Sequence, residues 1–107
     1  MKYAFGVNNC TNALKLAAIF CHIQPGDEVI VPAYTYCASA IPFGDLGAHI
    51  VWADINKDTW TIDPDDFERK ITPKTKAVVA VHLLGIPCYM KRIVAIARRH
   101  GIKVVED

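Results

Sequence analysis

The sequence predicts an α/β domain of three layers, in which a mainly parallel β-sheet lies between flanking helices. Apolar runs that suit strands alternate with segments of helical periodicity along the 107 residues. The run at residues 29–31 is apolar on both faces, as is typical of a buried parallel strand. Such an alternation indicates strands joined by right-handed helical crossovers.

The first part of the chain predicts an extended run, a polar turn and a helix. Residues 2–5 form the extended run, and the helix reaches about His22. The polar turn lies at the amino end of this helix, where backbone N–H groups lack partners and the helix dipole adds positive charge. A phosphate suits that position, with Thr11 as a further donor. The alternative is an ordinary capped turn, with Asn9 or Thr11 as the N-cap.

The next segment predicts a strand at residues 28–33 and then a second helix. This helix is expected to begin at Tyr36 or Cys37 and to reach about Leu46. Pro42 lies within it and lacks a backbone N–H, which predicts a kink or a late start.

Gly47 is expected to close that helix, because glycine is common just after a helix end. Residues 49–54 then predict a strand, and residues 60–63 an extended segment. Asp63 is a plausible N-cap for a short helix whose first position is Pro64.

The last part predicts a strand at residues 76–81, a helix at residues 90–100 and a strand at residues 102–107. The helix is apolar on one face and basic on the other, and Gly101 ends it.

Polar side chains follow the strands, and the carboxyl ends of parallel strands meet at one edge of a sheet, where ligands bind. These residues are Asn8 to Thr11, Tyr34 to Tyr36, Asp54, His82 and Asp107. The pattern alone predicts an α/β ligand-binding domain.

Composition excludes several other classes of protein. A net charge of +1 argues against binding to nucleic acid or to a membrane surface through charge. No apolar run approaches the roughly 20 residues of a membrane span, and the amino terminus has no signal-peptide core, so we expect a cytoplasmic protein. The four cysteines and four histidines lack ligand spacing, which predicts free thiols and no metal site.

Eight segments of the chain match one family of enzymes in that family's order: residues 6–14, 26–36, 63–64, 71–78, 81–83, 85–87, 95–101 and 104–107. Through these segments most of the chain resembles the DegT/DnrJ/StrS family of aminotransferases that use pyridoxal 5'-phosphate (PLP). The resemblance implies a fold-type-I large domain and a homodimer. It also implies transfer of an amino group from glutamate or glutamine to a keto-sugar nucleotide, in the synthesis of amino sugars, polysaccharides or antibiotics.

The resemblance assigns cofactor roles to four residues. Cys10 and Thr11 match the pair that holds the cofactor phosphate, and Tyr36 matches the aromatic residue that stacks on the pyridine ring. Asp107 matches the carboxylate that pairs with the pyridine nitrogen and keeps it protonated. The alternatives are a core aromatic for Tyr36 and a turn residue for Asp107.

Tyr34 and His82 are the candidates for substrate contact. For His82, local bonding within its loop is the expected role, and contact with substrate is the alternative.

The chain also departs from the family. The family's Schiff-base lysine and small C-terminal domain come after the position of Asp107. We therefore expect residues 1–107 to be a partial PLP-binding domain, inactive alone, whose residues 3–7 expose an apolar edge. The alternatives are a non-catalytic remnant that binds PLP or a phosphosugar, and an inactive truncated product.

Overall fold

The computed structural model describes residues 3–107, and its centre is a four-stranded parallel sheet in the order β2-β1-β3-β4. The strands are β1 (Glu28–Pro32), β2 (His49–Ala53), β3 (Thr75–Ala80) and β4 (Lys103–Glu106). The helices are α1 (Cys10–Phe20), α2 (Ile41–Gly44), α3 (Pro64–Arg69) and α4 (Met90–His100), with short 3₁₀ turns at Cys37–Ser39 and Leu83–Gly85.

Each face of the sheet carries its own apolar core, because successive side chains of a strand point to opposite faces. Val29 and Val31 pack with α1 and α2 through residues such as Ala18 and Phe43. Ile30 packs on the other face, in the core to which α3 and α4 contribute. The predicted three-layer α/β fold with a parallel sheet is therefore confirmed.

Asn9 is the N-cap of α1. Its side-chain oxygen accepts a hydrogen bond of 2.9 Å from the Asn12 N–H, which resolves the choice between Asn9 and Thr11. The helix ends at Phe20, before the predicted His22, because His22 adopts a positive φ of 56° that a helix excludes.

The late start that Pro42 predicts for the second helix is confirmed, but the helix is shorter than predicted. The chain forms the Cys37–Ser39 turn first, and α2 begins at Ile41 with Pro42 in its first turn, as the missing proline N–H requires. The helix ends at Gly44 rather than near Leu46. Gly47 has a φ of +87° and turns the chain towards β2 instead of closing the helix directly.

The extended segment predicted at residues 60–63 is also wrong at its start. Trp60 has a φ of 61°, in the left-handed region that side chains disfavour. Its N–H donates to the Asn56 carbonyl at 2.8 Å, and the Asn56 N–H donates to the Thr61 carbonyl at 2.9 Å. This closed turn leaves only Ile62 in an isolated antiparallel bridge, with Ile55.

Residues 3–7 form no strand within the described part of the chain. Phe5 is 73% exposed, and its ring lies 6.0 Å from that of Phe20, which is 61% exposed. The apolar side chains expected to be exposed here are exposed, but residues 3–7 do not form the edge strand that was predicted to carry them. The first residue of the run predicted at residues 2–5 lies outside the described residues. Across residues 3–107, no helix has both the length and the apolarity needed to cross a bilayer.

Candidate functional site

A cavity of about 400 Å³ opens at the carboxyl edge of the sheet, where α1 begins. Its volume falls in the range of about 300–1,000 Å³ that is typical of small-molecule sites. The polar and aromatic side chains that line it are Cys10, Thr11, Thr35, Tyr36, Ser39, His82 and Asp107. Six of these, all except Ser39, belong to the edge that the sequence predicts.

Asp107 follows β4 directly and is held there through its backbone. Its N–H donates to the Ala80 carbonyl at 2.9 Å, and its carbonyl accepts from the His82 N–H at 2.8 Å. These bonds continue the pairing of β3 with β4 by one residue. The half-buried side chain is thereby fixed at the wall of the cavity.

Both carboxylate oxygens of Asp107 accept hydrogen bonds from side chains. The Ser39 hydroxyl donates to Oδ2 at 2.6 Å, and the Cys10 thiol donates to Oδ1 at 3.3 Å. The Thr35 and Ser39 hydroxyl oxygens lie 3.0 Å apart. Elements that are distant in the sequence therefore meet at this carboxylate.

The Asp107 carboxylate raises the pKa of the Cys10 thiol, chiefly through the hydrogen bond that it accepts from this thiol. Partial burial and the negative charge of the carboxylate act in the same direction. The Cys10 side chain therefore carries its proton at neutral pH and acts as a donor rather than as a nucleophile.

The first residues of α1 supply backbone donors at the cavity. Cys10 and Thr11 occupy the first two helical positions, where an α-helix has no internal partner for the N–H groups. The Asn9 side chain is already engaged with Asn12, so it leaves these two groups to other partners. An anion at this point would also meet the positive end of the helix dipole.

Tyr36 lies outside the core, with 75% of its surface exposed, and it lines the cavity. An exposed aromatic ring beside a cavity offers a flat apolar face to a ligand.

Tyr34 lines a second hollow of about 280 Å³, which shares Tyr36 and Leu84 with the first. Its ring packs edge-on against that of Trp60 at 5.4 Å, and both rings are about half exposed. Tyr34 is therefore adjacent to the main cavity rather than within it.

The His82 ring is engaged on both sides. Its Nδ1 accepts a hydrogen bond of 3.1 Å from the Cys88 N–H, so Nε2 carries the proton and donates to Glu106 at 3.0 Å. This is the local bonding that the sequence predicts for His82. The ring contributes to the cavity wall while both nitrogens are in use.

Sequence reasoning missed Ser39 and Trp60, and it gave Thr35 no role beyond a place at the predicted edge. Ser39 is 2% exposed, and the available signal was a hydroxyl within the small apolar run at residues 37–42. A buried hydroxyl needs a partner, but the sequence does not say that this partner is Asp107.

The described residues, 3–107, contain no cluster of side chains that could hold a metal ion, and their four cysteines are free. No described lysine lines the cavity.

The sequence model of the DegT/DnrJ/EryC1/StrS aminotransferase family matches residues 1–107. GDP-perosamine synthase of Escherichia coli O157:H7 is 45% identical over 100% of this chain, and the match covers 29% of that protein. The dTDP-3-amino-3,4,6-trideoxy-alpha-D-glucose transaminase of Streptomyces venezuelae is 45% identical over 98% of this chain and 28% of its own length.

Solved structures of aminotransferases also superpose closely on this chain. An aminotransferase from Psychrobacter cryohalolentis superposes with a TM-score of 0.96 at 42% identity, over 99% of this chain and 27% of that one. NtdA from Bacillus subtilis, solved with bound cofactor PMP, gives 0.86 at 40% identity, over 90% of this chain and 22% of that one. The chain thus has the fold of fold-type-I aminotransferases and spans under a third of the length of these relatives.

Proposed function

The chain belongs to the DegT/DnrJ/EryC1/StrS aminotransferase family, and from this premise we propose that it forms the cofactor-binding part of a PLP-dependent sugar aminotransferase. The observation that carries the proposal is the Asp107 carboxylate in the wall of a cavity that also contains the amino end of α1. A carboxylate and an anion-binding helix end within one cavity suit the two ends of PLP, its ring nitrogen and its phosphate.

The side chains of the cavity fit this cofactor. The backbone N–H groups of Cys10 and Thr11, with the Thr11 hydroxyl, would bind the phosphate. Tyr36 would cover one face of the pyridine ring. Asp107 Oδ1 accepts one weak thiol hydrogen bond, and a carboxylate oxygen has room for a second donor, so it would accept from the protonated ring nitrogen.

When bound, PLP supplies an electron sink for the charge left on carbon after a proton is removed. The residues of this chain would keep that electron sink effective, because the Asp107 carboxylate would hold the proton on the ring nitrogen. Tyr36 would fix the plane of the ring, and the amino end of α1 would bind its phosphate.

We propose a keto-sugar nucleotide as acceptor and glutamate or glutamine as amino donor. The relatives named for GDP-perosamine and for a dTDP-linked amino sugar support this acceptor class. Tyr34 is the proposed substrate contact, because it borders the cofactor cavity through Tyr36. We also propose a homodimer for the whole enzyme, and the exposed apolar Phe5 and Phe20 support a surface that further protein covers.

Binding of pyridoxamine phosphate tests the cofactor site directly, since this amine form does not react with lysines. Equilibrium dialysis of the chain should show tighter binding of pyridoxamine phosphate than of pyridoxamine, by about tenfold to a hundredfold, because charge-assisted hydrogen bonds to the phosphate are worth about 1.5–3 kcal/mol. Thr11→Val should reduce this preference, and Thr59→Val, a matched change away from the cavity, should not. Equal binding of the two ligands would refute the phosphate site.

A hybrid enzyme tests the reaction. These residues would replace the matched segment of the Escherichia coli O157:H7 GDP-perosamine synthase, which they resemble at 45% identity. The hybrid should bind cofactor and form GDP-perosamine, the product after which that enzyme is named. The second candidate function is that of a non-catalytic cofactor-binding domain, and the observation that favours it is that no described lysine lines the cavity. A folded hybrid that binds pyridoxamine phosphate but transfers no amino group would favour this candidate.

A further inference from the structure

A chain of hydroxyl groups leads to the Asp107 carboxylate. Ser39 donates to Asp107 Oδ2 at 2.6 Å, and its oxygen lies 3.0 Å from Thr35 Oγ1. A hydroxyl has one hydrogen, and that of Ser39 is used on the carboxylate. The Thr35 hydroxyl must therefore donate to Ser39, which gives the chain a single direction from Thr35 to Asp107.

The middle member of this chain is held rigidly. Ser39 is 2% exposed and is the last residue of the Cys37–Ser39 turn, where its N–H donates to the Tyr36 carbonyl at 3.0 Å. Thr35 lies in the same loop after β1 and is half buried. The carboxylate comes from the end of β4, 68 residues further along the chain. The loop after β1 therefore binds, through Ser39, a carboxylate that lies at the end of β4.

We propose that Ser39 is a positioning residue, which fixes the rotation of the Asp107 carboxylate so that Oδ1 faces the cavity, and that Thr35 orients the Ser39 hydroxyl. With Oδ2 bound to Ser39, Oδ1 is the oxygen that meets Cys10 and any ligand in the cavity. The inference rests on the proposed function only in naming the ring nitrogen of PLP as that ligand.

The Cys10 thiol reports on this orientation without any cofactor. Its pKa is raised because Asp107 accepts its hydrogen bond. If Ser39 is removed, the carboxylate gains freedom to rotate, and the contact between Oδ1 and the thiol is present for less of the time. The pKa of Cys10 should then fall towards its ordinary value.

The measurement is the rate of iodoacetamide alkylation of Cys10 against pH, in the 107-residue chain without cofactor. Trypsin releases residues 3–15 as one peptide in which Cys10 is the only cysteine, so mass spectrometry follows this thiol alone. The variants are Ser39→Ala, Ser39→Thr and Thr35→Val, and Asp107→Asn marks the profile without a carboxylate. Thr61→Val is the matched control, since its buried hydroxyl bonds to Thr59 away from the cavity.

In Ser39→Ala the midpoint of the profile should move to lower pH, part of the way to that of Asp107→Asn. Ser39→Thr, which keeps the hydroxyl, should restore it, and Thr35→Val should give a smaller shift of the same sign. The control Thr61→Val should leave the midpoint unchanged.

A midpoint that stays or rises in Ser39→Ala overturns the proposal, because the carboxylate would then keep its orientation without Ser39. Circular dichroism shows whether each variant folds. If Ser39→Ala does not fold, Thr35→Val decides in its place, and an unchanged midpoint there overturns the proposal. None of these measurements involves cofactor, so a failure here differs from a failure of the proposed function, which appears in the binding of pyridoxamine phosphate.

Discussion

Asp107→Asn should reduce transamination in the hybrid enzyme while leaving the fold and cofactor binding in place. The amide is nearly isosteric with the carboxylate, and the backbone bonds to Ala80 and His82 do not involve the side chain. The Ser39 hydroxyl donates at the Oδ2 position, so the amide oxygen will take that place. The amide nitrogen then occupies the Oδ1 position, where it presents hydrogens to the cavity.

The size of the effect follows from this orientation. An amide N–H facing the ring nitrogen can only donate to it, so it favours the unprotonated ring, and the electron sink weakens. Loss of a hydrogen bond between charged groups is worth about 1.5–3 kcal/mol. Such a loss lowers the rate about tenfold to about 150-fold. Because the interaction matters most when charge develops on carbon, kcat should fall more than KM changes.

The assay is steady-state transamination, with cofactor occupancy measured by absorbance. Asp58→Asn is the matched control, since Asp58 is exposed in a loop and does not line the cavity. A kcat close to that of the unmodified hybrid, at full occupancy, would refute the pairing of Asp107 with the ring nitrogen.

Three further results are expected. Borohydride reduction of the chain mixed with PLP should give no single stoichiometrically labelled lysine on peptide mapping, because no lysine of residues 3–107 lines the cavity. Burial opposes ionisation of Asp66, but hydrogen bonds from the Asp54 N–H and from two cationic side chains outweigh it and lower the pKa. Asp66→Asn should therefore cost about 1.5–3 kcal/mol in urea unfolding at pH 7, a difference that should shrink as pH falls below the ordinary carboxyl value of 3.8. Gly47→Ala should lower Tm, because Gly47 has a φ of +87° and an added Cβ would lie 3.0 Å from the Pro25 backbone, whereas Gly44→Ala meets nothing within 4 Å and should not lower it.

Local signals in the sequence were sufficient for elements that carry their own caps. The helix predicted at residues 90–100 is α4, Met90–His100, and Gly101 ends it with a φ of 69°. Asp63 caps α3 through a hydrogen bond to the Asp65 N–H, as predicted. The signals that mark these helices are local: α4 has its apolar face and its terminating glycine, and α3 has its capping aspartate followed directly by Pro64.

Features that depend on distant contacts could not be predicted in this way. The partner of the Ser39 hydroxyl is Asp107, which lies 68 residues away, and no short-range pattern encodes that pairing. Tryptophan is a residue type that favours strands, so Trp60 was predicted to be extended. The Asn56 side-chain oxygen, however, accepts hydrogen bonds from the Asp58 and Thr59 N–H groups and so stabilises a turn just before Trp60. This local hydrogen bonding overrides the β-propensity of tryptophan.

Strand order explains why the predicted edge residues do not all reach the cavity. β1 and β4 are both neighbours of β3, so the loop after β1, which carries Ser39, meets the end of β4, where Asp107 stands. β2 lies on the far side of β1, and the residue that follows it, Asp54, does not line the cavity and donates its N–H to Asp66 instead. The sequence identifies residues at the carboxyl ends of strands, but only the order of those strands decides which of them share a site. Changes to the loop after β1, or to Asp107 at the end of β4, should therefore alter the cavity, whereas changes after β2 should alter stability.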